Sequence, residues 1–225
     1  MKLNKTLIAS SVAAVMAAGV MAPAQAEVEI GASVGVASTY LWRGYDLGSG
    51  TPAVSGDLNL SAGGFYGGIW GSSGDTTAGT EYDLYAGYGH SFGDFSIDVS
   101  VWNYNYPTGD SEVDFGDLSD GVVSLGYGPV AFTIYKPITG TPDSDYVYYT
   151  LGADVGAFSI LAGVHDDGGC PEDETDPDAS CSPAHLNVSY AYNDNLSFTF
   201  SQFFADESIN DDLKFVVSYT LPLGE

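Results

Sequence analysis

The feature that most constrains the fold of this chain is an alternation of apolar and polar residues with a period of two. In the first segment, apolar residues from Val28 to Trp42 share one face, and more polar residues from Glu29 to Arg43 share the other. A period of two places successive side chains on opposite faces of a β-strand. After residue 26 no apolar run approaches the roughly 20 residues of a transmembrane helix. The sequence therefore predicts an all-β protein.

Twelve segments carry the strand pattern, and their connections alternate strictly between tight turns and longer polar loops. The predicted strands are 28–43, 53–61, 65–72, 81–89, 95–104, 121–127, 130–138, 145–153, 158–165, 184–192, 196–204 and 212–221. Lipid offers the backbone no hydrogen-bond partners, so a membrane sheet must close on itself. The alternation predicts a transmembrane antiparallel up-and-down β-barrel with short periplasmic turns and longer extracellular loops. A soluble β-sandwich is the alternative, because its strands also alternate.

The N-terminus has the form of an export signal. Lys2 and Lys5 precede an apolar, alanine-rich stretch, and 24–26 reads Ala-Gln-Ala, the small-x-small pattern of a cleavage site. We expect residues 1–26 to be a cleaved signal peptide, with an N-terminal anchor helix as the alternative. Residues 27–225 then form a single barrel domain, which is expected in the cell outer membrane.

The charge balance excludes one class of partner. The chain has 30 acidic and 5 Lys or Arg residues. Without the leader, the remaining basic residues are Arg43, Lys136 and Lys214. Nucleic-acid binding needs clustered Lys and Arg, so no nucleic-acid partner is expected. Such an acidic chain attracts cations instead. No cofactor is expected.

The longest predicted loop, 166–183, holds both cysteines and a dense run of acids. Cys170 and Cys181 lie eleven residues apart, and in an oxidising compartment a disulfide closing this loop is expected. The surrounding carboxylates predict a solvated acidic loop, held near lipid and lipopolysaccharide head groups by divalent cations. A defined calcium site is the alternative, although no EF-hand spacing is present.

If the apolar faces meet lipid, a set of charged residues points into the lumen. Arg43 ends the first predicted strand and Lys214 begins the last, so barrel closure places them side by side near the outer rim. Glu81 and Asp83 lie at the same height across the lumen, and a transverse field between basic and acidic walls predicts a constriction. The alternative is that Arg43 simply pairs with a nearby acid. The candidates for the lumen and rim are Arg43, Lys214, Glu81, Asp83, Asp57 and Asp98.

Aromatic residues at strand ends predict an interfacial girdle, which is typical of outer-membrane barrels. The predicted girdle residues are Tyr40, Trp42, Tyr82, Tyr88, Tyr127, Tyr190, Tyr192 and Tyr219. The histidines, His90, His165 and His185, show no specific catalytic spacing and are interpreted as interfacial or loop residues. No catalytic residue and no metal site are predicted, and the chain is not expected to be an enzyme.

Four stretches resemble a known family. They are 38–44 (STYLWRG), 51–58 (TPAVSGDL), 64–72 (GFYGGIWGS) and 81–88 (EYDLYAGY). Together they resemble the TorF-type porin family, which consists of proteobacterial outer-membrane proteins of unknown function. The resemblance implies an outer-membrane barrel with an arginine at the place of Arg43, and it supplies no substrate. The C-terminus lacks the usual terminal aromatic, so Tyr219 and Leu221 are the expected signal for the barrel-assembly machinery.

These observations predict a passive pore, in which small polar or cationic solutes cross a narrow acidic lumen. A surface or envelope-structural barrel that acts in adhesion through its acidic loops is the second hypothesis. A lipid-modifying outer-membrane enzyme is the third.

Overall fold

A closed antiparallel barrel of twelve strands is the architecture of the computed structural model, which describes residues 27–108, 113–140, 145–166, 182–204 and 211–224. The barrel strands are β1 (Glu29–Ala37), β4 (Ala53–Ala62), β5 (Phe65–Asp75), β6 (Gly79–Phe92), β7 (Phe95–Tyr106), β8 (Val113–Tyr127), β9 (Val130–Pro137), β10 (Val147–Val155), β11 (Phe158–Asp166), β12 (Ala184–Ala191), β13 (Leu196–Phe204) and β14 (Lys214–Pro222). Two short strands, β2 (Leu41–Trp42) and β3 (Tyr45–Asp46), form a separate hairpin. No described residue belongs to a helix long and apolar enough to cross a bilayer.

Each barrel strand pairs with its sequence neighbour, and β1 closes the barrel against β14. The closing ladder joins Ser33–Ala37 to Ser218–Pro222. The predicted count of twelve strands and the up-and-down order are confirmed. At one end β4 and β5, β6 and β7, β8 and β9, and β10 and β11 are joined by tight turns. In two of these turns, Gly93 and Gly128 adopt positive φ angles of 66° and 55°, which suit glycine because it lacks a Cβ.

The barrel is apolar outside and polar inside. Ile30 is 72% exposed and Phe65 is 66% exposed, whereas Asp83 and His185 are fully buried within the lumen. This distribution is the reverse of that in a soluble protein, where large apolar side chains are the buried ones. The alternation along each strand therefore presents an apolar wall to lipid, as in outer-membrane barrels.

Two predicted strand boundaries are wrong. The first strand does not continue to Arg43, because the chain bends after Ala37 and enters the lumen. The eighth strand begins at Val113, inside the predicted acidic loop, and pairs with β7 through an irregularity between Tyr104 and Tyr106. This added segment exposes Asp114 to water. Beyond the membrane a strand does not need an apolar face, so the alternation that guided the prediction is lost there.

Several predictions fall on parts of the chain outside the described residues. They concern the signal peptide at 1–26, the disulfide between Cys170 and Cys181, and most of the acidic loop that was assigned to divalent cations.

The apolar outer face of the barrel predicts that the effect of a charged substitution on stability depends on its depth in the bilayer. Val99 lies on the outward face in mid-strand, paired with Tyr88 and Val123. Val99→Arg should lower the free energy of unfolding by about 2–4 kcal/mol, because the bilayer midplane solvates a guanidinium poorly. Val28, just before β1, is the control, and Val28→Arg should cost about 0–1 kcal/mol. Equilibrium urea unfolding in phosphatidylcholine vesicles measures both, and equal losses would contradict a membrane-embedded wall.

Candidate functional site: a hairpin inside the outer end of the barrel

Residues 38–52 connect β1 to β4 by folding into the lumen at the end of the barrel that carries the long loops. Leu41 pairs with Asp46, and Trp42 pairs with Tyr45. Arg43 and Gly44 form the two-residue turn, with φ angles of 47° and 88°. Positive φ at both central residues is the signature of a type I′ turn, the turn that suits a tight hairpin. We call residues 38–52 the plug hairpin.

Arg43 occupies a turn position that an arginine rarely takes. Asparagine or glycine is the usual first residue of a type I′ turn, and a non-glycine residue held at positive φ costs about 1–3 kcal/mol. The strain persists only where the surroundings fix the residue. The contacts of the Arg43 side chain therefore have to account for its position.

A buried ion pair fixes Arg43 to the barrel wall. Its Nη2 lies 2.6 Å from Oδ2 of Asp120 on β8, and the two side chains are only 8% and 5% exposed. The same nitrogen donates to the Tyr104 hydroxyl at 3.3 Å, and Nη1 donates to the Tyr146 hydroxyl at 3.5 Å. Removing one partner of a buried ion pair leaves the other charge unpaired, at a cost of about 3–5 kcal/mol.

Three aromatic rings surround the same guanidinium. Its central carbon lies 4.5 Å from the ring centroid of Trp42, 4.8 Å from Tyr135 and 4.9 Å from Tyr148. These distances fall within the range of about 6 Å at which cation–π attraction operates. Burial by itself would lower the pKa of Arg43, but Tyr104, Asp120 and Tyr146 raise it overall. Arg43 therefore remains charged inside the lumen.

Two histidines extend the set of barrel residues that hold the plug hairpin in the lumen. His165 on β11 donates from Nε2 to the Arg43 carbonyl at 2.9 Å, and its Nδ1 accepts from the Tyr146 hydroxyl at 2.9 Å. His185 on β12 contacts the Tyr148 hydroxyl at 2.8 Å through Nε2 and Asn187 at 3.0 Å through Nδ1. Each ring thus has a partner at both nitrogens, and the hairpin backbone belongs to the same network.

Glycines provide the close approach that this network needs. A Cβ added to Gly44 would lie 2.6 Å from Cγ of His185 and 2.8 Å from Cζ of Phe203. A Cβ on Gly163 would lie 2.6 Å from the Tyr148 hydroxyl oxygen. Real Cβ atoms do not approach other atoms that closely, so these two positions have to be glycine for the hairpin and the histidines to meet.

The opposite side of the plug hairpin rests on an acidic wall. The Tyr40 hydroxyl donates to Glu81 Oε2 at 2.7 Å, and the Tyr106 hydroxyl donates to Glu81 Oε1 at 2.7 Å. Asp83 lies two residues further along the same inward face and is also buried. Burial and the Glu81 carboxylate raise the pKa of the Tyr40 phenol above its ordinary value. Tyr40 therefore stays protonated and keeps its role as a donor.

Below the hairpin, tyrosine–aspartate pairs line the lumen. The Tyr85 hydroxyl donates to Asp57 at 2.8 Å, and the Tyr66 hydroxyl donates to Asp98 at 2.8 Å. Tyr85 stacks on Trp102 with ring centroids 4.3 Å apart. Gly68 is the cross-strand partner of Tyr85 and Gly87 that of Tyr66, so each phenol crosses a position without a side chain. Gly68 and Gly87 are explained in this way.

All six residues that were predicted to face the lumen do so, but their arrangement differs from the prediction. Glu81, Asp83, Asp57 and Asp98 lie on the inward faces of their strands. Lys214 also points inward, with Nζ 5.3 Å from the Phe203 ring. Their role in a constriction remains a prediction.

The predicted placement of Arg43 at the end of a wall strand beside Lys214 is wrong. Arg43 lies at the tip of the plug hairpin, and its charged partner is Asp120. The alternative interpretation, that Arg43 pairs with a nearby acid, is the one that the geometry supports. Asp120 lay one residue before the predicted sixth strand, which is why the sequence pattern did not single it out.

The predicted girdle divides into two groups. Tyr40 and Trp42 do not lie on the lipid face, since Tyr40 is 7% exposed and Trp42 packs against Arg43 inside the lumen. Their assignment was wrong because the first strand ends before them. The other members lie on outward faces, where their interfacial role stays a prediction. They are Tyr82, Tyr88, Tyr127, Tyr190, Tyr192 and Tyr219.

Sequence reasoning missed most of the barrel residues that hold the plug hairpin. His165 and His185 were assigned to the interface or a loop, yet both are buried on inward strand positions. Tyr104, Tyr135 and Tyr148 also face inward. Their signal was present in the alternation, because each occupies a polar-face position at the outer end of its strand. Nothing in the pattern showed that they would converge on one arginine.

A family model described as "Bacterial protein of unknown function (Gcw_chp)" matches residues 21–207. The chain belongs to this family. No curated protein sequence matches it. Among solved structures, it is similar to outer membrane phospholipase A from Escherichia coli, with 12% identity, 88% of this chain and 90% of that chain covered, and a TM-score of 0.45. An active-site mutant of that phospholipase gives 11% identity, the same two coverages of 88% and 90%, and a TM-score of 0.43.

The ion pair makes a prediction about stability. Arg43→Ala should lower the free energy of unfolding by about 3–5 kcal/mol, because Asp120 is left buried without its partner. The double variant Arg43→Ala with Asp120→Ala should lose less than the sum of the single losses, since the two residues interact directly. Urea unfolding of the refolded protein gives each value.

Asp114→Ala is the matched control, because Asp114 lies in the outer part of β8 at the same end of the barrel and is exposed to water. Its effect should stay below about 1 kcal/mol, the usual size for an exposed charge. Strict additivity of the Arg43 and Asp120 losses would contradict a coupled pair.

Proposed function

We propose that this protein is a gated outer-membrane pore for small polar or cationic solutes, and that the plug hairpin is its gate. The arrangement of the hairpin supports this proposal most directly. It contacts inward side chains from every strand between β5 and β13, from Trp70 beside Tyr40 to Phe203 beneath Gly44. A segment that meets so much of the wall fills the outer end of a lumen of this size.

The charges of the lumen favour cations. Asp57, Asp98, Glu81 and Asp83 face inward, and Arg43 is paired with Asp120. Rings of carboxylates select cations in pores, because they lower the electrostatic energy of a positive ion within a narrow, partly dry passage. Asp57 and Asp98 lie below the hairpin, so they would act on a solute once the outer end is open.

The strand register supports a gate that is separate from the wall. Ala37 of β1 pairs directly with Ala53 of β4. Residues 38–52 are therefore an insertion between two strands that are already neighbours, and the barrel can close without them. The hairpin can leave the lumen while the ladders of the wall stay intact.

The energy of the hairpin contacts supports a pore that is mostly closed. Loss of the Arg43–Asp120 pair alone corresponds to about 3–5 kcal/mol, which changes the ratio of closed to open molecules by about 10²- to 10⁴-fold. Opening of the pore then requires an interaction that stabilises the plug hairpin outside the lumen. The resemblance of residues 38–92 to the TorF-type family implies an outer-membrane barrel and names no solute.

Excision of the gate is the direct test. Replacing residues 38–52 by Asn-Gly joins the register partners Ala37 and Ala53 through a two-residue turn. In planar bilayers, the wild type should show rare, brief openings, and the excised barrel should show steady conductance steps. Arg43→Ala should fall between them, with more frequent openings than wild type, and Asp114→Ala should match wild type. An excised barrel that folds, migrates as a heat-modifiable band and stays silent would contradict a pore.

Selectivity tests the acidic lumen. In the excised barrel, Asp57→Asn combined with Asp98→Asn should lower the K⁺ over Cl⁻ permeability ratio several-fold, because two inward charges are lost while the amides still accept the tyrosine hydrogen bonds. Asp94→Asn is the control, since Asp94 lies exposed in the turn between β6 and β7. Reversal potentials in a salt gradient give the ratio. An unchanged ratio in the double variant would refute cation selection by these residues.

A barrel without transport is the second candidate, and the packing of the lumen favours it. Small inward hydroxyls such as those of Ser124, Thr150 and Ser201 are at most 6% exposed, so neighbouring side chains already cover them. On this alternative the hairpin and the aromatic residues brace the wall of an envelope-structural protein. Silence of the excised barrel would favour this reading over the gated pore.

A further inference from the structure

A cavity of about 900 Å³ lies beside the plug hairpin, on the side that faces β13 and β14. Hairpin residues including Thr39, Tyr45 and Asp46 form one side. Phe203 and the first residues of β14 form the other. Its size falls within the range of about 300–1,000 Å³ that is usual for small-molecule sites. The pore proposal above makes no use of this cavity.

Among the residues that the structure describes, the barrel wall has a gap in front of the cavity. The ladder between β1 and β14 ends at the pair Ala37 and Ser218, and Ser38 adds hydrogen bonds to Val217. The chain then turns into the lumen, whereas β14 continues to Lys214 along β13. Above Val217, the side of β14 that would face β1 therefore meets the hairpin and the cavity rather than a wall strand.

The lining of the cavity is continuous with the lipid-facing surface. Leu213 and Phe215 line its outer part and are 58% and 49% exposed on the apolar outside of the barrel. Phe203 lines its inner part, is 1% exposed, and stacks against Tyr45 with ring centroids 4.7 Å apart. An apolar path thus leads from the outer wall, past the edge of β14, to two aromatic rings inside the barrel.

We propose that this cavity binds the acyl chain of a single-chain lipid, which enters from the outer leaflet through the gap between β14 and the plug hairpin. The chain would run along Leu213 and Phe215 and reach Tyr45, with Phe203 behind it. Burial of the exposed apolar surface of Leu213 and Phe215 favours binding by about 25 cal/mol per Å². Polar groups of Thr39, Asp46 and Lys214 lie around the same cavity, where a polar head group can keep its hydration.

The ligand is assigned as a lipid because of which residues of the cavity lining are exposed on the outside of the barrel. The exposed lining residues on the lipid-facing side are the apolar Leu213 and Phe215, whereas the exposed polar lining residues, Ser49 and Asp212, lie outside the strands. The side entrance from the bilayer is therefore apolar, which suits an acyl chain, and the polar residues leave room for a hydrated head group.

Photo-labelling tests the proposal on the full-length protein. The refolded barrel in phosphatidylcholine vesicles is irradiated with hexadecanoic acid that carries a terminal diazirine, and the labelled residues are mapped by mass spectrometry. We expect label on Tyr45 and Phe203, which face the lumen, and competition by excess unlabelled hexadecanoic acid. Competition by lysophosphatidylcholine as well would show that the acyl chain, rather than the carboxylate, is recognised. Label confined to outward residues such as Phe215 would overturn the proposal, because ordinary boundary lipid gives that pattern.

Matched substitutions sharpen the test. Leu213→Asp places a carboxylate at the mouth and should reduce the labelling of Tyr45 and Phe203 by about tenfold, equivalent to about 1.4 kcal/mol of binding energy. Leu223→Asp is the control, because Leu223 is 45% exposed near the other end of β14, and it should change nothing. Equal labelling in all three proteins, or competition by a disaccharide, would refute a lipid site.

A second pair of variants covers the case in which Leu213→Asp fails to fold. Phe215→Ala removes an apolar ring from the mouth, and its cross-strand neighbour Phe200, whose ring centroid lies 4.9 Å away, does not line the cavity. Phe215→Ala should reduce the labelling of Tyr45 and Phe203, and Phe200→Ala should leave it unchanged. Equal effects of the two alanines would also overturn the proposal. None of these readouts depends on conductance, so they stand apart from the pore.

Discussion

The closure of the sheet is the constraint on which the rest of this structure depends. A strand in lipid has no water to satisfy its N–H and C=O groups, so every strand needs a neighbour on each side. The short ladder between Ser33–Ala37 and Ser218–Pro222 supplies the last of these pairings. Closure also creates a lumen, and it turns the polar side of the alternation inward. The carboxylates, hydroxyls and histidines inside the barrel follow from that single topological requirement.

A lumen lined by polar groups must be filled with water or with protein, and here its outer end is filled by the chain itself. The plug hairpin carries one positive charge, that of Arg43, into the lumen, and that charge is neutralised by Asp120 and surrounded by aromatic rings. The unusual backbone of Arg43 and the glycine at 44 serve this placement. The same feature that closes the outer end also leaves a cavity beside β14. The plug hairpin, residues 38–52, therefore both fills the outer end of the lumen and forms one side of the cavity.

Much of the fold could be predicted from the sequence, because a strand pattern of period two is local and repeats twelve times. The inward placement of Asp57 and Asp98 followed from the same pattern. The candidate site was harder to predict from the sequence. Tyr40 and Trp42 continue the alternation of β1, so the pattern gave no reason to end that strand at Ala37. A hairpin inside the lumen can carry the same alternation as a strand in the wall, because successive side chains of the hairpin also point to opposite sides.

By itself, the sequence determined the class of fold, the number of barrel strands and, within those strands, which side chains face away from lipid, because each depends on neighbouring residues along the chain. The tertiary structure alone decided where Arg43 goes. Its partners come from β8, β7 and the segment before β10, at separations of 77, 61 and 103 residues. Only the closure of the barrel brings those positions around one point. The lone arginine of an acidic chain became the anchor of a plug because the curvature of the sheet surrounds it with acids and aromatic rings that no local pattern connects.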